Sequence, residues 1–361
     1  MDERIKFCSV KIIFLSAFLL IFLLVKSNMG AVMRSESLEF FDKTKTVCIG
    51  RFLIDVPETA KIIYGPADVS LPIERYIGKG SEINEIVKSR LLEVEEERFL
   101  ASNALRKSTS LLGNVIDGGM PYQKIVFGVS KASGSFYRIQ SYVQVGNDLF
   151  VQEGEAYGEK DDYILMIKTM NSIASKLRSR ADGEISSGEG ICIDGGFVSE
   201  TSRLDYENLT LGIRLSEFPD VHFSLATSLK PKLVDSDALE PRLRQAEEFA
   251  KRSGKENWYS RIKIYRRGER KIGKWDGFEV LAKKPQQLSE KDSHEFLFVS
   301  QGQPDNPLLP VLKLSLNSGL KKNSRGAILP SITDNQAILI WDKITSSIRE
   351  RPVENIRKSA R

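Results

Sequence analysis

One order of elements occurs twice along this chain, and it constrains the fold more than any other feature. Strands, a helix, several antiparallel strands and a second helix can be read on each side of a Gly- and Ser-rich stretch at residues 181–190. In the first half, residues 47–56 and 69–77 read as strands, the second after a Gly65-Pro66 turn signal. A helix follows with Ser81 as the expected N-cap and Ile83, Val87, Leu91 and Val94 at helical spacing. Its run of Glu93, Glu95, Glu96 and Glu97 reads as a solvated face. Residues 122–129, 136–145 and 149–156 alternate as strands, and a helix opening near Asp161 places Tyr163, Ile167, Met170, Ala174 and Leu177 on one stripe.

Beyond the stretch, residues 209–215 and 221–229 read as strands. A helix over 237–252 carries Leu239, Leu243, Ala246 and Ala250 on its stripe, with Asp237 and Glu240 as an expected capping box. Strands at 260–267, 278–283, 295–300 and 312–316 precede a last helix after Ile332, with Ala337, Trp341, Ile344 and Ile348 on one face. Helices covering one face of mostly antiparallel sheets define an α+β protein of two domains, expected at 32–187 and 188–361.

The first 31 residues are of another kind. Charged residues precede an uncharged apolar run at 12–25 that Lys26 ends, which is the pattern of an export signal. A spanning helix needs roughly 20 apolar residues, a length approached only if the run extends back to Phe7 across Lys11. A cleaved signal and an inner-membrane anchor through residues 7–25 therefore both stay open, and both place the remainder in the periplasm. Cys8 falls inside this segment, which leaves Cys48 and Cys192. In an oxidising compartment they either pair or pack as buried thiols.

Charge and chemistry narrow the function. Residues 32–188 hold 20 Lys and Arg against 22 Asp and Glu, and residues 189–361 hold 29 against 24. Charges so balanced and interspersed lack the dense basic stripe of a nucleic-acid binder. The chain has two histidines, His222 and His294, both expected to be exposed on strands, so acid–base chemistry near neutral pH has few candidates. No G-x-S-x-G, C-x-x-C, H-E-x-x-H, Walker or G-x-G-x-x-G pattern occurs, and no cofactor or metal is implied. The tail from Arg349 to Arg361 reads as a frayed basic end.

Two segments carry a resemblance. Residues 48–57, with Cys48, Gly50, Arg51, Asp55 and Pro57, head the first domain; residues 190–197, with Cys192, Asp194, Gly195 and Gly196, head the second. The pair resembles the periplasmic immunity proteins that neutralise class-four phospholipase effectors of the type VI secretion system. That resemblance implies two domains closing like a claw on a cognate lipase and blocking its lid or substrate access, with no catalysis of its own. The motif residues read as structural. Trp258, Tyr259, Arg266, Arg267, Arg270 and Trp275 are candidate partner contacts, because aromatics and Arg concentrate at interface centres. The competing readings are an envelope-anchored assembly module without a toxin partner and a hydrolase built on paired carboxylates.

Overall fold

The computed structural model of the chain describes residues 39, 41–158, 161–200, 206–287 and 290–353. The segment read from the sequence as an export signal or as an anchor through residues 7–25, and the end of the basic tail, lie outside the described residues. No helix among the described residues is long and apolar enough to cross a membrane.

The first repeat comprises β1 (Thr44–Ile49), β2 (Phe52–Pro57), β3 (Lys61–Val69), β4 (Leu71–Tyr76), α1 (Ile83–Glu97), β5 (Val115–Asp117), β6 (Gln123–Val129), β7 (Phe136–Val145), β8 (Asp148–Tyr157), α2 (Asp162–Lys176) and β9 (Leu177–Ser179). The second comprises β10 (Gly190–Ile193), β11 (Gly196–Ser199), β12 (Glu207–Arg214), β13 (His222–Ser228), α3 (Leu239–Arg252), the short α4 (Glu256–Tyr259), β14 (Lys263–Ile272), β15 (Trp275–Lys284), β16 (Ser293–Ser300), β17 (Val311–Asn317), α5 (Asp334–Ser346) and β18 (Arg349–Glu350).

Repeated order becomes repeated topology. The first repeat arranges its sheet β3-β4-β8-β7-β6-β5 and the second β12-β13-β17-β16-β15-β14, the same path in both. β12 then pairs antiparallel with β3, joining the halves into one 12-stranded sheet. The two leading hairpins sit apart from it and exchange their third strands. β18, which follows α5, pairs with β2 of the first hairpin; β9, which follows α2, pairs with β11 of the second. Each repeat therefore completes a small sheet that the other begins.

Several local expectations are corrected. Residues 47–56 are not one strand but β1 and β2, because Gly50 takes φ +59 and turns the chain. A side chain there would also stand 2.7 Å from Leu209 Cδ1. The Gly65-Pro66 pair does not turn; it lies inside β3 at a register shift against β12, where a bulge tolerates a missing N–H. The turn comes at Ser70 instead. Ser81 falls inside a 3-10 turn rather than capping α1, and Asp237 bonds Lys230 rather than capping α3. α5 does begin with a capping box, formed by Thr333 and Gln336.

The core lies on the sheet face that carries the hairpins, α2 and α5. There Trp341 is fully buried, its ring 5.7 Å from that of Phe223 and 6.0 Å from that of Phe296. α1 and α3 pack on the other face, where Val94 of α1 lies over Gly128, and Leu239 of α3 over Val280, Ala282 and Val299. Each face thus carries one helix from each repeat, because strands such as β6 are apolar on both sides: Phe127 faces α2, and Val126 lies on the side of α1.

Candidate partner-binding surface

The motif residues meet at the joint between the repeats. Gly50 and Cys192 exchange backbone hydrogen bonds, each N–H donating to the other's carbonyl at 2.9 Å, and Cys48 and Cys192 are joined by a disulfide. Arg51 pairs with Glu207 at 3.3 Å, while burial pushes the Glu207 carboxyl up against that cation's opposite pull. Arg75 bridges Asp148 at 2.6 Å and Asp194 at 3.0 Å, over Gly195, where any Cβ would collide with it. Asp55 accepts from Thr46 and Arg349, Pro57 closes β2, and Gly196 lies against Phe150 and Leu177.

Two arginines, one just after α2 and one in the tail that reads from sequence as a frayed end, are buried in this joint. Arg180 donates to the carbonyls of Gly196, Glu184 and Ile193 and to the Tyr64 hydroxyl. Arg351 donates to the carbonyls of Ser186, Gly188 and Gly190 and lies over the Phe197 ring. They hold matching places: the N–H of Arg180 donates to Gly195 of the second hairpin's turn, that of Arg351 to Arg51 of the first. Arg349, salt-bridged to Asp55 at 2.8 Å, is likewise part of the fold. The available signal was that each arginine follows the last helix of its half by a few residues.

On the face opposite the hairpins, α1 and α3 stand apart and leave the strands between them bare. From β3 to β17 the outward residues are Asn208, Thr210 and Gly212, then Ser224, Ala226 and Ser228, then Lys313 and Ser315; Ser224 and Lys313 are exposed and the others partly so. Ser224 and Ser315 bond each other at 2.7 Å. β3 and β4 part after three paired positions, and a cleft of about 630 Å³ opens there. It is lined by Tyr64, Asp68, Glu74, Arg75, Arg138 and Asp194 among others. Arg138 is committed to Glu153, so among the described residues Asp68 and Glu74 have no cationic partner.

The expected contact residues divide. Trp275 is core: it is 2% exposed, meets Phe52 edge to face and donates to the Pro310 carbonyl. Arg270 and Arg266 both pair with the buried Glu279 and with Asp342, fastening β14 to α5. Trp258, Tyr259 and Arg267 line a separate groove beneath α3.

His294 is not exposed, as expected, but 1% exposed, because its strand position turns inward between Tyr265 and Phe296. Its Nδ1 lies 2.8 Å from Ser318 Oγ and its Nε2 3.0 Å from Asp334 Oδ1. The order serine, histidine, aspartate is that of a hydrolase triad. Ser318 is itself 1% exposed and accepts from the His294 backbone, so the hydroxyl faces no substrate. His222, also expected to be exposed, is half-buried, and burial lowers its pKa. Among the described residues no group of three or more His, Cys, Asp and Glu is placed to hold a metal ion.

Burial holds the His294 pKa below its usual value, against the opposite pull of Asp334. The unfolded chain therefore takes up a proton that the fold refuses. Stability is full above about pH 6.5 and falls as the pH drops below it. Unfolding free energies measured between pH 7.5 and 5 should show this slope, and His294→Gln should flatten it.

His294 and the arginines of the joint are thus spent on structure, while a face of small polar residues stays uncovered. The fold is that of an α+β protein of two repeats joined in one sheet. Residues 184–353 match the family described as Tle cognate immunity protein 4 C-terminal domain. Among solved structures, the fold is similar to that of the immunity protein TplEi of the T6SS from Pseudomonas aeruginosa. The form complexed with "L" peptide is 24% identical with TM-score 0.64, covering 86% of this chain and 99% of that chain. The apo form is 23% identical with TM-score 0.65, covering 86% and 98%. A chain of the Tle4-Tli4 complex is 24% identical with TM-score 0.68, again covering 86% and 98%. No curated protein matches the sequence.

Proposed function

We propose that this chain is an immunity protein that binds a phospholipase effector of the type VI secretion system in the periplasm and silences it by occupying the surface through which lipid enters. The family match over residues 184–353 carries this reading. Domains at 32–187 and 188–361 form the two lobes. The bare sheet face between α1 and α3, with the cleft beside β3, is the gripping surface. Small side chains there let a partner's elements approach the sheet closely, and the flanking helices supply walls of different charge: Glu93, Glu96 and Glu97 on α1, Arg242, Arg252 and Lys251 on α3. A lipase whose lid is held cannot admit its substrate.

Expression in the periplasm of a phospholipase effector of this class, where one is encoded beside this chain, with and without the chain, tests the reading. Cells should survive only with the chain present. A double substitution Ser224→Arg with Ser315→Arg, which fills the bare face without touching the core, should abolish that protection while the purified variant melts like the parent.

A further inference from the structure

A second recognition element lies under α3, away from the bare central face. Leu243, Ala246 and Phe249 of α3, Trp258 and Tyr259 of α4, and Ile262, Ile264 and Leu297 enclose a groove of about 570 Å³. Its floor is formed by Val280 and Ala282 of β15. Several of these apolar side chains are left to solvent: Phe249 is 62% exposed and Ile264 48%. Trp275 and Trp341, by contrast, are 2% and 0% exposed. An open aromatic groove on a stable fold is the arrangement that accepts an anchor side chain from a partner.

The charges around the groove select the occupant. Its carboxylates are used internally: Glu247 pairs with Lys251, and Glu295 with Lys284 and Arg325. Its cations are not. Lys255 and Arg267 line the groove, and among the described residues neither has a carboxylate within 4.0 Å. The rim therefore carries uncompensated positive charge over an apolar floor. Because the groove is concave, it fits an inserted protein segment better than a flat bilayer.

We propose that the groove beneath α3 is a docking site for a segment of the phospholipase effector that presents an apolar anchor side chain flanked by carboxylates. The proposal rests on the reading of the chain as an effector-binding protein and adds a second point of grip to the central face. Trp258, held at the groove wall by its Nε1 bond to the Pro285 carbonyl at 3.1 Å, sits where an arriving anchor would change its surroundings. The other two tryptophans are enclosed and serve as a constant background.

The test uses the purified protein and its co-encoded lipase, with affinity measured by titration calorimetry and binding followed by tryptophan fluorescence. Phe249→Ala and Arg267→Glu alter exposed side chains and should leave the thermal melt unchanged. Each should weaken binding by about tenfold or more, as expected for anchor and charge contacts at an interface. Only Arg267→Glu should also reduce the salt dependence, and Trp258→Phe should remove the fluorescence change. Unaltered affinity in both variants, with the parent protein binding the lipase, overturns the docking site and leaves the immunity reading standing. A parent protein that binds no co-encoded lipase sinks both.

Discussion

Replacing Cys48 and Cys192 together by alanine is expected to lower the unfolding free energy by about 4 to 5 kcal/mol, the largest effect of any change outside the main core. The bond closes a loop of 144 residues, so its loss frees the unfolded chain by an amount that grows with the logarithm of that length. It is also placed where the two repeats meet, since Cys48 lies in the first hairpin and Cys192 in the second, and both are 2% exposed or less. Denaturant titrations of the parent should shift by the same amount when a reductant breaks the bond, and the double variant should ignore the reductant. Coincident curves for parent and variant would mean that the hairpins hold each other without the bond.

Substituting Arg351 by methionine should cost about 3 kcal/mol, a large effect for a residue near the end of the described chain. The side chain is 3% exposed and donates to the carbonyls of Ser186, Gly188 and Gly190, those of Ser186 and Gly190 within buried hydrogen bonds. Burial, together with Arg51 and Arg178 nearby, holds its pKa below the usual arginine value, so the carbonyls and the Phe197 ring must compensate a desolvated cation. Lysine should restore little, because one ammonium cannot span three carbonyls as a planar guanidinium does. A loss below about 1 kcal/mol, read from the same denaturant titrations, would show that water replaces the guanidinium.

What the sequence disclosed follows from period. Helices α1, α2, α3 and α5 were readable because apolar residues recur at helical spacing, and the inner strands because apolar and polar residues alternate. The repeat was legible as an order of elements. Its deeper form was not, since β18 returns from the far end of the chain to β2 and β9 crosses the boundary between the halves to reach β11, pairings that no local pattern encodes. The hairpins themselves were hidden for a related reason. Residues 47–56 are apolar but for Arg51 and Asp55, and the φ of Gly50 is what makes two short strands of what reads as one long one.

The candidate site was less legible than the fold. Aromatic and arginine residues were sound candidates by composition, yet Trp275 serves the core and Arg266 and Arg270 serve α5 through Glu279 and Asp342. Burial of a side chain is decided by tertiary packing, which residue type does not reveal. The bare face is built from Thr210, Gly212, Ser224 and Ser315, residues that carry no motif. Their meaning comes from lying side by side on neighbouring strands with no helix above them. His294 shows the same limit, because its polar neighbours in sequence gave no hint of the enclosed contact with Ser318 and Asp334.

A stoichiometric inhibition assay bears most directly on the claim that this protein works by occupancy and performs no chemistry. Phospholipid hydrolysis by the co-encoded lipase should fall in proportion to added protein and reach baseline at one equivalent, with no lipid consumed by the protein alone. Hydrolysis that persists at saturating protein, or turnover by the protein without the lipase, would contradict the account.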